Sequence, residues 1–430
     1  MKKILSFLLS LVLIMSIGMT GTSALASEKV KLVFWDECPG TVQTPLFKEL
    51  LDEFMELNPD IEVEYVGIPW DSAKEKYDVA IASKATPDVA SIHNTWLTEF
   101  ALKGALMDLD DRFEAWDESS QFNAALIQAI RSEDSEGRLF TIPYTDNMPM
   151  LWVRTDLLSA KGVEIPTTWD AFFEAAEKMT DLDKSVYGFT IRGGSGGASQ
   201  LLHALIAYSG MTSFFDDEGN CLLNNDDAVA FVERLAQMYN VNTAASDITA
   251  GLGETVSAFD SGFAAMMFHN LGSYGDHKAV LTDEQFVGIP YPASLEGIST
   301  YSGSMWCGYV TFADTEHPEE SWRLMQFLAS KSSVSRYNEV IGQLPTRTDV
   351  SEEAWLNDAP HIKAALEYAA QENTICVNQP TFIPTFSAIV DEMNPFFQET
   401  LTGGMTAKEF LDTYAEALEE GYQQVEQLTK

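Results

Sequence analysis

Basic side chains are scarce in this chain: 26 Lys and Arg face 65 Asp and Glu over 430 residues, a formal net charge of −39. Binding nucleic acid takes clustered Lys and Arg to neutralise phosphates, so that partner is excluded. No basic run or basic amphipathic stretch is present to hold an anionic membrane surface. Cysteine is scarce as well. Cys38, Cys221, Cys307 and Cys376 are widely spaced and form no Cys-x-x-Cys, which argues against a disulfide scaffold or a thiolate zinc site. One or two long-range bridges stay open, since connectivity cannot be read from sequence. The histidines, at 93, 203, 269, 277, 317 and 361, give no i, i+4 pair and no His-Glu-x-x-His, so no metal and no cofactor are expected. Internal repeats and low-complexity linkers are missing, and beyond the N-terminal stretch charges interrupt every apolar run.

Hydrophobic residues make up 46% of the chain and aromatics 11%, which separates it from acidic disordered proteins that cannot build a core. At roughly 100–200 residues per domain, the length allows two or three domains or two large lobes. Met1-Lys2-Lys3, the apolar stretch Ile4 to Met19 and the small-x-small triplet Ala24-Leu25-Ala26 have the layout of a secretory signal over residues 1–26. An uncleaved anchor is the alternative, against which the run falls short of the ~20 residues of a span.

Alternation predicts strands at Lys29 to Trp35 and Ile61 to Val66, and a short buried strand at Asp88 to Ile92. Between them, Leu46, Phe47, Leu50, Leu51, Phe54 and Leu57 repeat at helical spacing, opened by Thr44-Pro45 and stopped by Asn58-Pro59. Ser72 to Ser83 also reads as a helix. Strand, helix, strand, helix, strand is the signature of parallel βαβ units. Asp111 to Ile130 reads as helical, Leu139 to Pro143 and Met150 to Arg154 as strands, and Trp169 to Met179 as a helix capped by Thr168. Thr406 to Gln427 closes the chain as an amphipathic helix.

Gly193-Gly194-Ser195-Gly196-Gly197 satisfies Gly-x-Ser-x-Gly between a strand-like and a helix-like segment, the context of a nucleophile elbow. Asp260 and His269 are candidate partners, but a flexible glycine loop fits the same letters, and no catalytic residue is assigned. Asp181 to Ser185 and Asp216 to Asn220 resemble pieces of calcium loops without the full spacing and read as acidic turns. Trp35, Trp96, Tyr144 and Trp306 fall where strands run into loops, and ligand sites of open α/β sheets lie beyond strand ends. Flat aromatic faces flanked by Asp, Asn and Arg suit carbohydrate. Trp152 and Trp169 sit inside their elements and belong to the core.

A series of segments then carries a family resemblance: Val33-Phe34-Trp35, Phe54-x-x-x-Asn58-Pro59-Asp60-Ile61-x-Val63, Ala85-Thr86-Pro87-Asp88-Val89, Gly104-Ala105-Leu106-x-Asp108-Leu109 and Ile142-Pro143-Tyr144. It continues with Leu151 to Leu158, Pro166-Thr167-Thr168-Trp169-Asp170, Gly262-x-Ala264-Ala265-Met266, Gly303-Ser304-x-Trp306 and Leu344-Pro345-Thr346-Arg347. In that order the chain resembles the family 1 extracellular solute-binding proteins of ABC importers, the sugar-binding group related to maltose-binding protein. The resemblance implies an α/β fold of two lobes of the periplasmic-binding-protein type II kind, closing on a ligand by hinge motion. One lobe would comprise 27–143 with 291–347 and the other 144–290 with 348–430, with crossings near Tyr144 to Met148, Pro290 and Arg347.

It also implies cleft positions: Trp35, Asp36 and Glu37 on the first loop, Asn94 and Trp96 after the third strand, and Asp146 and Asn147 at the first crossing. His269 and Asn270 stand where relatives carry Gly, with Tyr274 supplying an aromatic. Gly303, Ser304 and Trp306 match a sugar-stacking segment, and Arg347 and Phe382 complete the set. Cys38 lies beyond the cleavage site, not at it as in lipoprotein relatives, so a soluble, monomeric exported product is expected. It would capture a mono- or oligosaccharide and dock on permease subunits. The rivals are a polyamine or other cationic solute binder using Asp36, Glu37 and Asp146, and a secreted hydrolase using Ser195 or a carboxylate pair.

Overall fold

A computed structural model describes residues 29–303 and 305–428, so the signal expected at 1–26 and the site position Ser304 lie outside the described residues. The chain opens with β1 (Val30–Asp36), α1 (Gln43–Leu57), β2 (Ile61–Gly67), α2 (Trp70–Ser83), β3 (Val89–His93) and α3 (Asn94–Leu102). In α1 the residues at helical spacing, Leu46, Phe47, Leu50, Leu51 and Phe54, are all buried. Asn58 ends the helix, its backbone N–H and its side-chain amide both donating to the Phe54 carbonyl at 2.9 Å. β1 pairs in parallel with β2 on one side and β3 on the other.

Asp111 to Ile130 is not one helix. It breaks into a short helix Asp110–Glu114, a turn at Ser119–Gln121 and a helix, α4 (Ala124–Arg131), capped by Asn123, whose Oδ1 accepts from the Ala125 and Leu126 N–H groups. The periodicity misleads because Phe113, Trp116 and Phe122 pack on one another across the breaks.

β4 (Ile142–Asp146) and β5 (Pro149–Val153) follow, then α5 (Trp169–Met179) and α6 (Gly197–Ser209). Thr168 caps α5, its Oγ1 accepting from Ala171 N–H at 3.1 Å. After α7 (Asp226–Met238) and α8 (Leu252–Asp260) come β6 (Met266–Asn270), α9 (Tyr274–Val280), β7 (Val287–Pro290), β8 (Ser299–Gly303) and β9 (Cys307–Thr311). The chain ends with α10 (Pro318–Leu328), α11 (Lys331–Ile341), β10 (Leu344–Pro345), α12 (Pro360–Ala369), β11 (Thr374–Asn378), α13 (Phe386–Leu401) and α14 (Ala407–Leu428). Among the described residues no helix is long and apolar enough to cross a membrane.

The strands sort into a six-stranded sheet in the order β10-β4-β9-β3-β1-β2, a three-stranded sheet β6-β5-β7 and a parallel pair β11-β8. Each side has its own core. One gathers Phe34, Phe47, Trp96, Tyr144, Trp306 and Tyr309 around the large sheet. The other gathers Trp169, Phe172, Leu205, Phe268, Phe397 and Tyr414 around the small one, with a satellite cluster at Trp152 and Phe259. Two lobes therefore result.

The chain first passes between them at Asn147-Met148, between β4 in the large sheet and β5 in the small one. The second crossing is not near Pro290. Tyr291 packs on Trp169 and Phe268 in the second lobe, and β8 pairs with β11 there, so the chain crosses only between Gly303 and Cys307. Nor does it cross at Arg347: Val350 still belongs to the first core, and α12 then packs on β7. Backbone pairing and core membership place these boundaries, and neither is written in local composition.

Candidate functional site

A cavity of about 1330 Å³ lies between the lobes. On the first lobe it is walled by the loop after β1 (Glu37 to Val42), by the start of α2 (Trp70, Asp71, Lys74) and by His93 and Trp96. On the second lobe the wall is the glycine loop with α6 (Ser195, Gln200, His203), the end of β6 (His269, Asn270), and Asp276 and Asp391. Asn147 and Met305 line it at the first two crossings. The lobes touch across it. Arg192 Nη2 donates to Asp71 Oδ1 at 3.2 Å, and Thr41 Oγ1 donates to Asp276 Oδ1 at 3.2 Å. Outside the cavity, Glu133 accepts at 3.3 Å from Thr98 on its own lobe and at 3.2 Å from Thr381 on the other.

The aromatic wall is a small cluster. Trp70 stacks on Trp96 with ring centroids 5.5 Å apart and planes 23° from parallel, and meets His93 edge-on at 5.2 Å. Trp96 is buried beneath while Trp70 remains partly exposed. Burial holds His93 down at about 4 and His203 at about 3 and pushes His269 well below its ordinary range, so these three imidazoles are neutral at pH 7. Several polar atoms at this cavity make no hydrogen bond: Glu37 Oε2, Asn147 Oδ1, Gln200 Oε1 and His269 Nδ1. Leaving such atoms unpaired is costly unless a ligand or water meets them.

The glycine run has a structural reason. A side chain at Gly196, where φ is +74°, would sit 2.4 Å from Arg192 Nη2, and one at Gly197 would sit 2.2 Å from the Arg192 carbonyl. The loop is bare so that Arg192 can fold back, its Nε donating to the Ser195 carbonyl at 2.6 Å, and reach across the cleft. Ser195 lines the cavity, but Asp260 is engaged by His277 Nδ1 at 2.6 Å and not by His269. No histidine bonds Ser195 among the described residues, so no triad forms.

Of the positions expected at the cleft, Glu37, Trp96, Asn147, His269 and Asn270 meet at this one cavity. The other described positions are placed elsewhere. Trp35 packs edge-on against Tyr77 at 5.3 Å with the Lys76 ammonium over its ring. Asp36 is fully buried, accepting from Tyr65 Oη at 2.6 Å, Gln43 Nε2 at 2.8 Å and Cys38 N–H at 3.1 Å. Asn94 is buried at the start of α3, its N–H donating to the Trp306 carbonyl. Asp146 turns onto the Asn147 N–H at 2.9 Å. Tyr274 stacks on His361 at 3.8 Å.

Gly303 is held in the β8–β11 ladder opposite Asn378, and Trp306 is fully enclosed in the first core. Arg347 is buried, forked onto Asp349 and paired with Glu118. Phe382 lies at the surface against Tyr422. Many of these residues are strand-end polars and aromatics, and in an acidic chain such residues serve the core and the caps as often as the cleft. The sequence reading missed Trp70, Asp71, Arg192 and Gln200. Trp70 carried a usable signal, since it follows the end of β2 as Trp96 follows β3. Arg192 carried none apart from the glycines after it.

A large cavity between two α/β lobes joined by three chain crossings defines a two-lobed binding protein. The chain belongs to the bacterial extracellular solute-binding protein family, whose model matches residues 40–334. It is similar to an arabinooligosaccharide-binding protein of Bacillus subtilis, 23% identical over 368 residues covering 81% of this chain and 82% of the relative. A lactose-binding protein of Rhizobium radiobacter is 22% identical over 311 residues, 69% of each chain. Among solved structures, the GacH receptor of Streptomyces glaucescens, studied unliganded and in complex with acarbose, superposes with a TM-score of 0.78 at 22% identity, covering 91% of this chain and 98% of that one. A solute-binding protein of Thermotoga lettingae bound with α-D-tagatose gives 0.80 at 18% identity, covering 91% and 100%.

Proposed function

We propose that this protein is a non-catalytic receptor that captures a mono- or oligosaccharide between its lobes outside the cytoplasm and hands it to the permease of an ABC importer. The observation that carries the reading is the cavity itself, in which a tryptophan-faced wall stands among unsatisfied polar atoms contributed by both lobes and a crossing. A ligand that is flat and apolar on its ring faces and rich in hydroxyls around its edge satisfies both kinds of surface. The relatives named for arabinooligosaccharide and lactose, and the structural neighbours holding acarbose and tagatose, support the same ligand class. Closure of the lobes about the three crossings would sequester the sugar and create the surface the permease reads. Export through the N-terminal signal, cleavage after Ala26 and a monomeric state complete the proposal.

Isothermal titration of the mature protein against a saccharide panel tests it, with Trp70→Ala alongside. Saturable heat with at least one glycan, weakened about tenfold by the substitution, is the expected result. No heat with any glycan overturns the proposal.

A further inference from the structure

Charge at the cleft is one-sided. Its two strong cations are committed, Lys74 to Asp78 at 2.6 Å and Glu99 at 2.8 Å, and Arg192 to Asp71. A uronic or phosphorylated sugar would find no free cation among the described lining residues, whereas Glu37, Asp276 and Asp391 all face the same space.

Glu37 is the sharpest of these. It is 1% exposed, its carboxyl is met by the Cys307 thiol, and its Oε2 makes no hydrogen bond. The groups that face it are Asp36 and Cys38 beside it, Tyr65 from β2, Tyr77 from α2, Tyr144 from β4, Cys307 and Tyr309 from β9 and Tyr337 from α11, every one an acid. Asp36, by contrast, accepts three hydrogen bonds. Such bonds favour the charged form of Asp36, so the negative charge of the pair rests there and the proton rests on Glu37. Burial, with Asp36 adding to it, pushes the Glu37 carboxyl up to about 8.

From this arrangement, and resting on the carbohydrate reading above, we propose that Glu37 selects a saccharide bearing a basic nitrogen, an amino sugar whose ammonium group seats on the Glu37 carboxylate. The step balances simply. The carboxylic proton leaves to solvent, and the ligand's N–H⁺ takes its place on the carboxylate, whose Oε2 makes no hydrogen bond, as a charge-assisted hydrogen bond. A neutral sugar at the same point displaces no proton. The unpaired amide oxygens Asn147 Oδ1 and Gln200 Oε1 suit the same donor-rich ligand.

The test is calorimetry on the mature protein at pH 7 in two buffers of different ionisation heat. The probes are a linear trisaccharide of glucosamine, its N-acetylated form, a neutral glucose trisaccharide and spermidine. The free amine should bind about tenfold tighter than its acetylated form and release a substantial fraction of a proton per site, the fraction being that of ligand already protonated at this pH. Glu37→Gln, confirmed as folded by its melting curve, should lose both the preference and the release. Equal affinity for amine and acetylated forms, or proton release that survives Glu37→Gln, overturns the amino-sugar inference and leaves the carbohydrate reading standing. Spermidine binding more tightly than every saccharide, or no binding by any probe, overturns both.

Discussion

Arg192 and Asp71 stand on opposite lobes and meet across the ligand cavity, Nη2 to Oδ1 at 3.2 Å. The arginine is enclosed, with its side chain 7% exposed, while the aspartate is 45% exposed. Such a half-solvated pair is worth about 0.2–1 kcal/mol, enough to bias lobe closure without locking it. Asp71→Asn should therefore raise the ligand dissociation rate several-fold with a smaller change in association, because closure is disturbed more than encounter. Stopped-flow kinetics measures both, and an unchanged dissociation rate would remove the pair from any role in closure.

Two tryptophans should separate binding from packing. Trp306 is fully buried in the core of the first lobe, and its truncation to Ala should cost about 3–5 kcal/mol of stability. Trp70 is partly exposed on the cavity wall, so Trp70→Ala should weaken ligand affinity with a much smaller effect on melting. Urea titration alongside calorimetry distinguishes the two patterns. If Trp306→Ala lost affinity at unchanged stability, its assignment to the core would be wrong.

Glu133 should make stability fall with rising pH. Burial raises its carboxyl from the ordinary 4.5 to about 8, against the hydrogen bonds from Thr381 and Thr98. The folded state therefore holds a proton that the unfolded chain has already lost across this window, and unfolding free energy declines as pH climbs from about 4.5 to about 8. Glu133→Gln removes the titration and should flatten that decline by an amount on the order of a few kcal/mol, at about 1.4 kcal/mol per pH unit of the window. Equal pH slopes for the two proteins in denaturant melts would refute the assignment.

Ser195→Ala tests the serine form of the hydrolase alternative directly. Asp260 is engaged by His277, and no histidine bonds Ser195 among the described residues, so no ester turnover is expected before or after the substitution. Turnover by the parent protein that the substitution abolishes would reverse the reading.

Much of the architecture was legible from local pattern. The N-terminal βαβαβ run, the Thr168 cap and the core placement of Trp152 and Trp169 follow from periodicity, capping chemistry and position within an element. The family and two-lobed fold followed from the ordered motif series. What escaped depends on contacts distant in sequence. The second crossing is set by β8 choosing β11 as its partner, and the break within Asp111 to Ile130 by aromatic packing between its pieces. At the cleft, Glu37 and Asp36 are adjacent letters with opposite fates. Alternation on a strand end sends one to the cavity and gives the other to Tyr65 and Gln43. Trp70 shows the reverse case, an aromatic just past a strand end that does reach the cavity.

The position of β9 in the large sheet has a consequence for how the molecule assembles. This strand lies between β3 and β4 and runs antiparallel to both, yet in sequence it stands about half of the chain away from β3 and more than a third of it away from β4. Until Cys307–Thr311 arrives, the first lobe holds a three-stranded piece of sheet, β2-β1-β3, and the unpaired strand β4, since β10 comes later still. Its completion is slow loop closure at high contact order, and the intermediate presents edges open to intermolecular pairing. A fragment ending before β9 should thus be an aggregating half-sheet and not a stable lobe.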